Sequence, residues 1–325
     1  MTAAPRERAT AGRSCPRDYY YEPFALNRAP DFSADVLYVV GGLYGNVEAF
    51  DEIAAMAAAE TSPVTLVFNG DFHWFDADAN WFSEIEQRVG PHRALRGNVE
   101  VEIARDQDIG AGCGCAYPES VDDGTVQRSN ETLLELRRTA SRSPQSLIRL
   151  RALPMHLVAG VGGQRVGIVH GDAGALAGWR FADGALDDAQ NRGWLDYVRA
   201  QSSIGVFAST HTCLAALRTL SLPSGNLTVI NNGAAGMPNF SGTQHGVVSR
   251  IATTPSPHAP LYGNISSGLH IDALPVRYDT AKFARRFLTR WPEGSPAYQS
   301  YYSRSQSGPA YAVAQAKPHG MTVAA

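Results

Sequence analysis

Cysteine is scarce: four residues in a chain of 325 are too few for the disulfide framework of a small secreted domain. Charge of one sign is scarce too, with 28 Lys and Arg against 31 Asp and Glu and a net charge of -3. That balance leaves no basic footprint for nucleic acid or an anionic membrane. No apolar run approaches the roughly 18 residues of a spanning helix. Residues 1–8 carry charge but no apolar stretch follows them, so they do not read as a secretory signal. Repeats, charge blocks, a P-loop, a dinucleotide fingerprint and a Ser-His-Asp order are all missing. These absences lead us to expect a cytoplasmic protein that binds neither nucleic acid nor membrane.

What is present is an α/β rhythm. An apolar fraction of 44% permits a sizeable core. Residues 1–34, rich in Pro, Arg and Tyr, read as an irregular arm in which Tyr19, Tyr20, Tyr21 and Phe24 pack on the domain. Asp35–Val40 reads as a strand, followed by the Gly-rich turn Gly41–Asn46 and a helix with Val47, Phe50, Ile53, Ala54 and Ala57 on one face. Val64–Asn69 is a second strand, completing a βαβ unit that ends on Gly70-Asp71. A helix over Asp76–Val89 and a strand over His92–Gly97 follow. The rhythm breaks between residues 101 and 154, where a Gly- and Cys-rich loop, Gly110–Pro118, precedes helices near 130–140 and 144–150. Strands resume at 155–159 and 166–169, joined by a hairpin turn at Gly160–Gly163, and again near 204–208, 227–230 and 246–251. A helix over about 186–201 lies among them, and another covers Asp279–Trp291. The expected organisation is an arm (1–34), a main domain (35–252) with an inserted cap (101–154), and an extension (253–325) whose end is loosely ordered.

Four strand-like runs end in a side chain able to hold a metal: Asp71, Asn98, His170 and His211. Carboxylate, amide and two imidazoles at the carboxyl ends of buried strands lie where α/β sheets place their ligands, and together they suit a hard-to-borderline divalent ion. Asp71 alone would equally be a helix cap.

In order, these blocks resemble the calcineurin-like metallophosphoesterases. The family pattern Asp-x-His, Gly-Asp, Gly-Asn-His-Asp/Glu, His and Gly-His-x-His corresponds here to Gly42-Leu43-Tyr44, Gly70-Asp71, Gly97-Asn98-Val99-Glu100, His170 and Thr210-His211-Thr212-Cys213. Residues 45–49 and the turn Ile230–Pro238 extend the match, which covers about residues 35–252. The resemblance implies a layered α/β sandwich, with two central mixed β-sheets flanked by helices. It also implies metal-dependent hydrolysis of a phosphate ester, diester or anhydride. One family metal site is complete in Asp71, Asn98, His170 and His211. The other has lost three of its four ligands, whose positions hold Gly42, Tyr44 and Cys213. The position of the family's substrate-contacting histidine holds Val99.

The expectation is therefore one divalent ion (Mn, Fe or Zn) and a small phosphorylated or anionic substrate. Tyr44 and His73 are candidate proton donors, and Arg180 a candidate phosphate contact, with Arg96 and Trp179 near strand ends as further contacts. His73 packed beside Trp74 and Phe75, and Arg180 as a surface arginine over a Trp ring, are the plainer alternatives. Two functional alternatives stand beside hydrolysis. One is a metal- or ligand-binding pseudoenzyme. The other is a thiolate-supported site in which Cys213, with Cys113 or Cys115, rebuilds the vacated position for a softer ion.

Overall fold

The computed structural model describes residues 11–318; the segments 1–10 and 319–325 of the expected arm and extension lie outside the described residues. Twelve strands form two six-stranded mixed sheets. The first sheet contains β1 (Phe32–Ser33), β5 (His156–Val161), β6 (Gln164–Val169), β7 (Val206–Ser209), β9 (Gly225–Asn232) and β8 (Ala215–Leu222), in that spatial order. The second contains β11 (Tyr262–Ser266), β12 (Leu269–Val276), β10 (Gly246–Ala252), β2 (Val36–Val40), β3 (Val64–Asn69) and β4 (Arg93–Leu95). Strands β2, β3 and β4 run parallel, as do β6, β7 and β9; hairpins and the β10 pairings are antiparallel.

Period-two alternation explains the layering. In β2, Leu37 and Val39 point into the space between the sheets, where they join Val67, Val166, Ile168, Val206, Ala208 and Ile230. Val36, Tyr38 and Val40 point the other way, onto the helices. Because both faces are covered, the strand reads as a continuous apolar run. The outer layer of the second sheet contains α1 (Val47–Ala58), α2 (Ala79–Val89) and α8 (Thr280–Arg290), whose Phe50, Phe82, Ile85, Phe283 and Phe287 share that core. On the first sheet α6 (Asp183–Asp187) and α7 (Arg192–Ser202) supply Leu186, Leu195 and Val198. The helices α3 (Asn98–Ala104), α4 (Asp123–Ala140) and α5 (Pro144–Ala152) pack on one another between the two sheets' sequences. The short α9 (Ser303–Ser307) and α10 (Val313–Ala316) close the described chain.

Several expectations need correction. Strands β11 and β12 belong to the second sheet, so the sandwich continues past residue 252. The described part of the chain end is held rather than loose: the Arg218 guanidinium donates to the carbonyls of Gln315, Ala316 and Lys317. In the arm, Tyr19 is buried, but the Tyr20 and Phe24 side chains are 60% and 64% exposed. No helix among the described residues is long and apolar enough to cross a membrane.

Candidate metal centre

The two sheets deliver their strand ends to one place. Asp71 follows β3 and Asn98 opens α3 just after β4, while His170 follows β6 and His211 follows β7. Asn98 is thus the first residue of a helix rather than the end of a strand. The Asn69 side-chain amide, from β3, donates to the Val169 carbonyl on β6 at 2.8 Å and ties the two sheets together beside the site. Glycine is required where the turns converge: a Cβ on Gly97 would lie 2.2 Å from Asp71 Oδ1. Among the described residues with positive φ that are not glycine, Tyr44, Asp71, His211 and Cys213 all sit here. Strained backbone of this kind persists only where surrounding structure holds it, and it gathers at functional sites.

Each of the four expected ligands has one polar atom tied down and the other left for the centre. His170 Nδ1 lies 2.8 Å from the Asn69 carbonyl. A carbonyl can only accept, so Nδ1 carries the proton and the Nε2 lone pair is free. By the same reasoning His211 Nε2 donates to the Cys115 carbonyl at 3.1 Å, leaving Nδ1 free. The Asn98 amide donates to the Cys113 carbonyl at 2.9 Å, which aims Oδ1 inward. Asp71 Oδ1 accepts from the Val99 N–H at 3.2 Å, leaving Oδ2. The four remaining atoms converge: His170 Nε2 is 3.1 Å from Asn98 Oδ1, 3.2 Å from His211 Nδ1 and 3.4 Å from Asp71 Oδ2. Two imidazole lone pairs this close repel unless a proton or a metal ion stands between them. The carboxylate of Asp71 and the imidazole nitrogens of His170 and His211, all buried, with the amide oxygen of Asn98 beside them, therefore fit a divalent ion.

The electrostatics agree. Burial pushes the Asp71 carboxyl up, but His170 and His211 outweigh it and hold it low. Burial lowers the His170 imidazole, yet the Asp71 charge raises it on balance. His211 is pushed down to about 3 by burial and by His170, so it is neutral at ordinary pH. The cluster favours one positive charge at its centre. Glu100 braces it from behind, accepting from the Asp71 and Gly97 N–H groups at 2.7 and 2.8 Å.

The vacated half of the family pattern is filled by its own replacements. A Cβ on Gly42 would sit 3.0 Å from the Tyr44 ring, and the Tyr44 hydroxyl is 3.1 Å from Cys213 Sγ. Burial raises both the Tyr44 phenol and the Cys213 thiol. Cys113 and Cys115 are joined in a disulfide, so neither supplies a thiolate to Cys213. While that disulfide is formed, the thiolate-supported site of Cys213 with Cys113 or Cys115 cannot assemble.

A cavity of about 30 Å³ adjoins the centre, lined by Tyr44, Asp71, Asn98 and His211 and roofed by Val99, Trp74, Tyr117, Trp179 and Tyr301. Tyr117 and Tyr301 share Ser129 Oγ at 3.2 and 3.3 Å, so the loop of residues 110–118 and the C-terminal segment meet over the site. Trp179 donates to the Cys115 carbonyl and turns its ring toward His211.

His73 and Arg180 lie elsewhere. The His73 ring is completely buried, bonded to Asp76 and Glu86 and stacked on Phe82, and it does not line the cavity. Arg180 sits over the Trp194 ring in an open cleft beyond Trp179. Arg96 lines another cleft, near Arg105 and Arg151. Sequence reasoning did not single out Asn69, Glu100, Tyr117 and Tyr301 for these roles. Of these only Glu100 carried a signal, as the acidic position of the Gly97-Asn98-Val99-Glu100 block, and its carboxylate accepts from the Gly97 N–H.

No protein-family model matches the sequence, and no curated protein matches it either. Among solved structures the chain is similar to a hypothetical protein from Pyrococcus horikoshii OT3, with a TM-score of 0.58 and 14% identity, over 85% of this chain and 99% of the other. It is also similar to a metallophosphoesterase from Sphaerobacter thermophilus, with a TM-score of 0.48 and 14% identity, over 78% of this chain and 93% of that one. Two facing six-stranded sheets deliver Asp71 and Asn98 from one side and His170 and His211 from the other, and the chain shares its overall fold with the Pyrococcus horikoshii protein.

Proposed function

We propose that the protein is a metal-dependent phosphoesterase with one metal ion, held by Asp71, Asn98, His170 and His211. The reading is carried by the convergence of three free donor atoms on a fourth, His170 Nε2, each of the four oriented by a separate outer partner. Manganese, iron and zinc all accept this mixed nitrogen and oxygen set. Such an ion, when bound, supplies a Lewis acid for a phosphoryl oxygen and a water of lowered pKa. The chain's own residues do the rest. Asp71 and Glu100 balance the charge of the centre, and Trp74, Tyr117, Trp179 and Tyr301 line the cavity with aromatic surface. Tyr44, protonated and lining the cavity, is the donor we assign to the leaving oxygen in place of the imidazole that Val99 lacks. The substrate is small and anionic. The cavity, about 30 Å³, is bounded in part by Tyr117 and Tyr301, whose displacement would widen it for a phosphoryl group.

That same small cavity, with no arginine lining it among the described residues, favours a second reading: a metal- or ligand-binding protein without turnover. Two measurements separate the readings. Elemental analysis should find about one ion per chain, lost in His170→Ala and in His211→Ala by more than the roughly 10–100-fold that loss of an outer-shell partner costs. Full metal content in both variants removes the site. The metal-loaded protein, and Tyr301→Ala with its roof opened, are then tested against aryl phosphates and phosphodiesters with Mn²⁺, Fe²⁺ or Zn²⁺. Metal binding without turnover in either supports the second reading.

A further inference from the structure

Two of the four metal-directed side chains take their orientation from a single loop. Asn98 donates to the Cys113 carbonyl at 2.9 Å, and His211 donates to the Cys115 carbonyl at 3.1 Å. Trp179, in the roof, donates to the same Cys115 carbonyl at 3.0 Å. Only Gly114 lies between the two carbonyls, and the side chains of the flanking cysteines are joined by a buried disulfide. The backbone here alternates through the left-handed region at Gly110, Gly112, Gly114 and Ala116. With that alternation the carbonyls of Cys113 and Cys115 both face the site, and for Ala116 the conformation is intrinsically unfavourable. A disulfide enclosing one residue restrains the unfolded chain little, because its entropic effect grows with loop length. Global stabilisation therefore does not account for its presence beside a metal centre.

We propose that Cys113 and Cys115 are positioning residues whose disulfide sets the two carbonyls that aim Asn98 Oδ1 and His211 Nδ1, so that metal affinity follows the thiol–disulfide state of this loop. The inference rests on the metal reading above. Formation of the bond takes two electrons and two protons from the thiols. A small-molecule disulfide supplies the oxidising equivalent: one cysteine thiolate attacks it and expels a thiol, and the second cysteine then displaces the other, leaving two small thiols. A phosphine reverses the step, breaking the S–S bond and becoming its oxide with oxygen from water. Cys15 and Cys213 stay as free thiols throughout.

The test uses the full chain, freed of metal, in oxidised and phosphine-reduced forms separated from reagent without air. Thiols are counted in denaturant: two when oxidised, Cys15 and Cys213, and all four when reduced. Mn²⁺ is the probe because it is hard and has little affinity for thiolates. Free Mn²⁺ is read from its paramagnetic resonance signal. The oxidised protein should bind Mn²⁺ roughly 10–100-fold more tightly than the reduced one, the usual effect of losing outer-shell support. Reoxidation by a small disulfide should restore the affinity. The double variant C113S/C115S should match the reduced protein with or without phosphine, at an unchanged urea midpoint. Equal affinity in the two states, or tighter binding on reduction, overturns the proposal while leaving the metal site standing. Four free thiols that no disulfide reagent can convert to two overturn it as well. Absence of Mn²⁺ binding in the oxidised protein defeats the metal reading and this inference with it.

Discussion

Replacing His73 with alanine should destabilise the fold by several kcal/mol without touching the metal. Its Nδ1 lies 2.5 Å from Asp76 Oδ2 and its Nε2 2.9 Å from Glu86 Oε1, and both His73 and Asp76 are fully buried. Burial lowers the imidazole, but Asp76 and Glu86 push it up to about 10, while Glu86 is held down to about 2 against burial by His73 and Arg149. In His73→Ala, Glu86 retains Arg149, whereas Asp76 retains only the Trp74 N–H at 2.8 Å. Stranding one partner of a buried pair costs about 3–5 kcal/mol. A rise from 6.5 to about 10, at roughly 1.4 kcal/mol per unit, corresponds to the same few kcal/mol. For a chain of 325 residues, an unfolding entropy of about 2.1 cal/mol/K per residue gives about 0.7 kcal/mol/K, so Tm should fall by about 4–7 °C. Calorimetry with metal analysis on the same sample checks this. The pH dependence supplies a second signature. Because the folded pKa is raised, this stability is complete below about 6.5 and is lost as pH rises toward about 10. Wild type should therefore lose stability across that window, and His73→Ala should lack this component of the slope. An unchanged Tm, or a stable, metal-replete variant that has lost turnover, would refute the argument and return His73 to the chemistry.

The filled half-site gives further expectations. Gly42→Asp alone should not recruit a second ion: φ at this position is +61° and the new Cβ meets the Tyr44 ring. It should destabilise by about 1–2 kcal/mol from backbone conformation alone, read from urea unfolding. A second ion at wild-type stability would contradict the packing. The triple variant Gly42→Asp, Tyr44→His, Cys213→His removes the obstruction, and elemental analysis should then show two ions per chain. Tyr44→Phe loses one hydrogen bond, to Cys213, which should cost about 0.5–1.5 kcal/mol and leave metal content unchanged. If turnover is found in wild type, it should fall in this variant; undiminished turnover would remove Tyr44 as the donor.

Strands and their terminal residues were legible because they are local properties. β2, β3, β6, β7 and β10 are short apolar runs, and each run that feeds the site is followed within three residues by its Asp or His. The order of the blocks was enough to indicate a two-sheet sandwich. Strands β8, β11 and β12 were not legible. β8 alternates through Arg218, Thr219 and Ser221, and β11 begins Tyr262-Gly263-Asn264, so neither shows an apolar run, and what makes them strands is their antiparallel partners.

The sequence on its own determined which side chains arrive at strand ends, and hence which donors the centre has. Only the tertiary structure decided their surroundings. Tyr301 closes the roof over Asp71 from 230 positions further along the chain. Gly42, Tyr44 and Cys213, which as isolated positions read as missing ligands, fill one another's space. His73, two residues past Asp71, was drawn into a buried ion pair on α2 instead of the site, because Asp76 and Glu86 lie within hydrogen-bonding distance of its two nitrogens. Periodicity and turn chemistry act over a few residues. Hydrogen bonds and steric exclusion act between whichever atoms the packed sheets bring together, and no local pattern encodes that pairing.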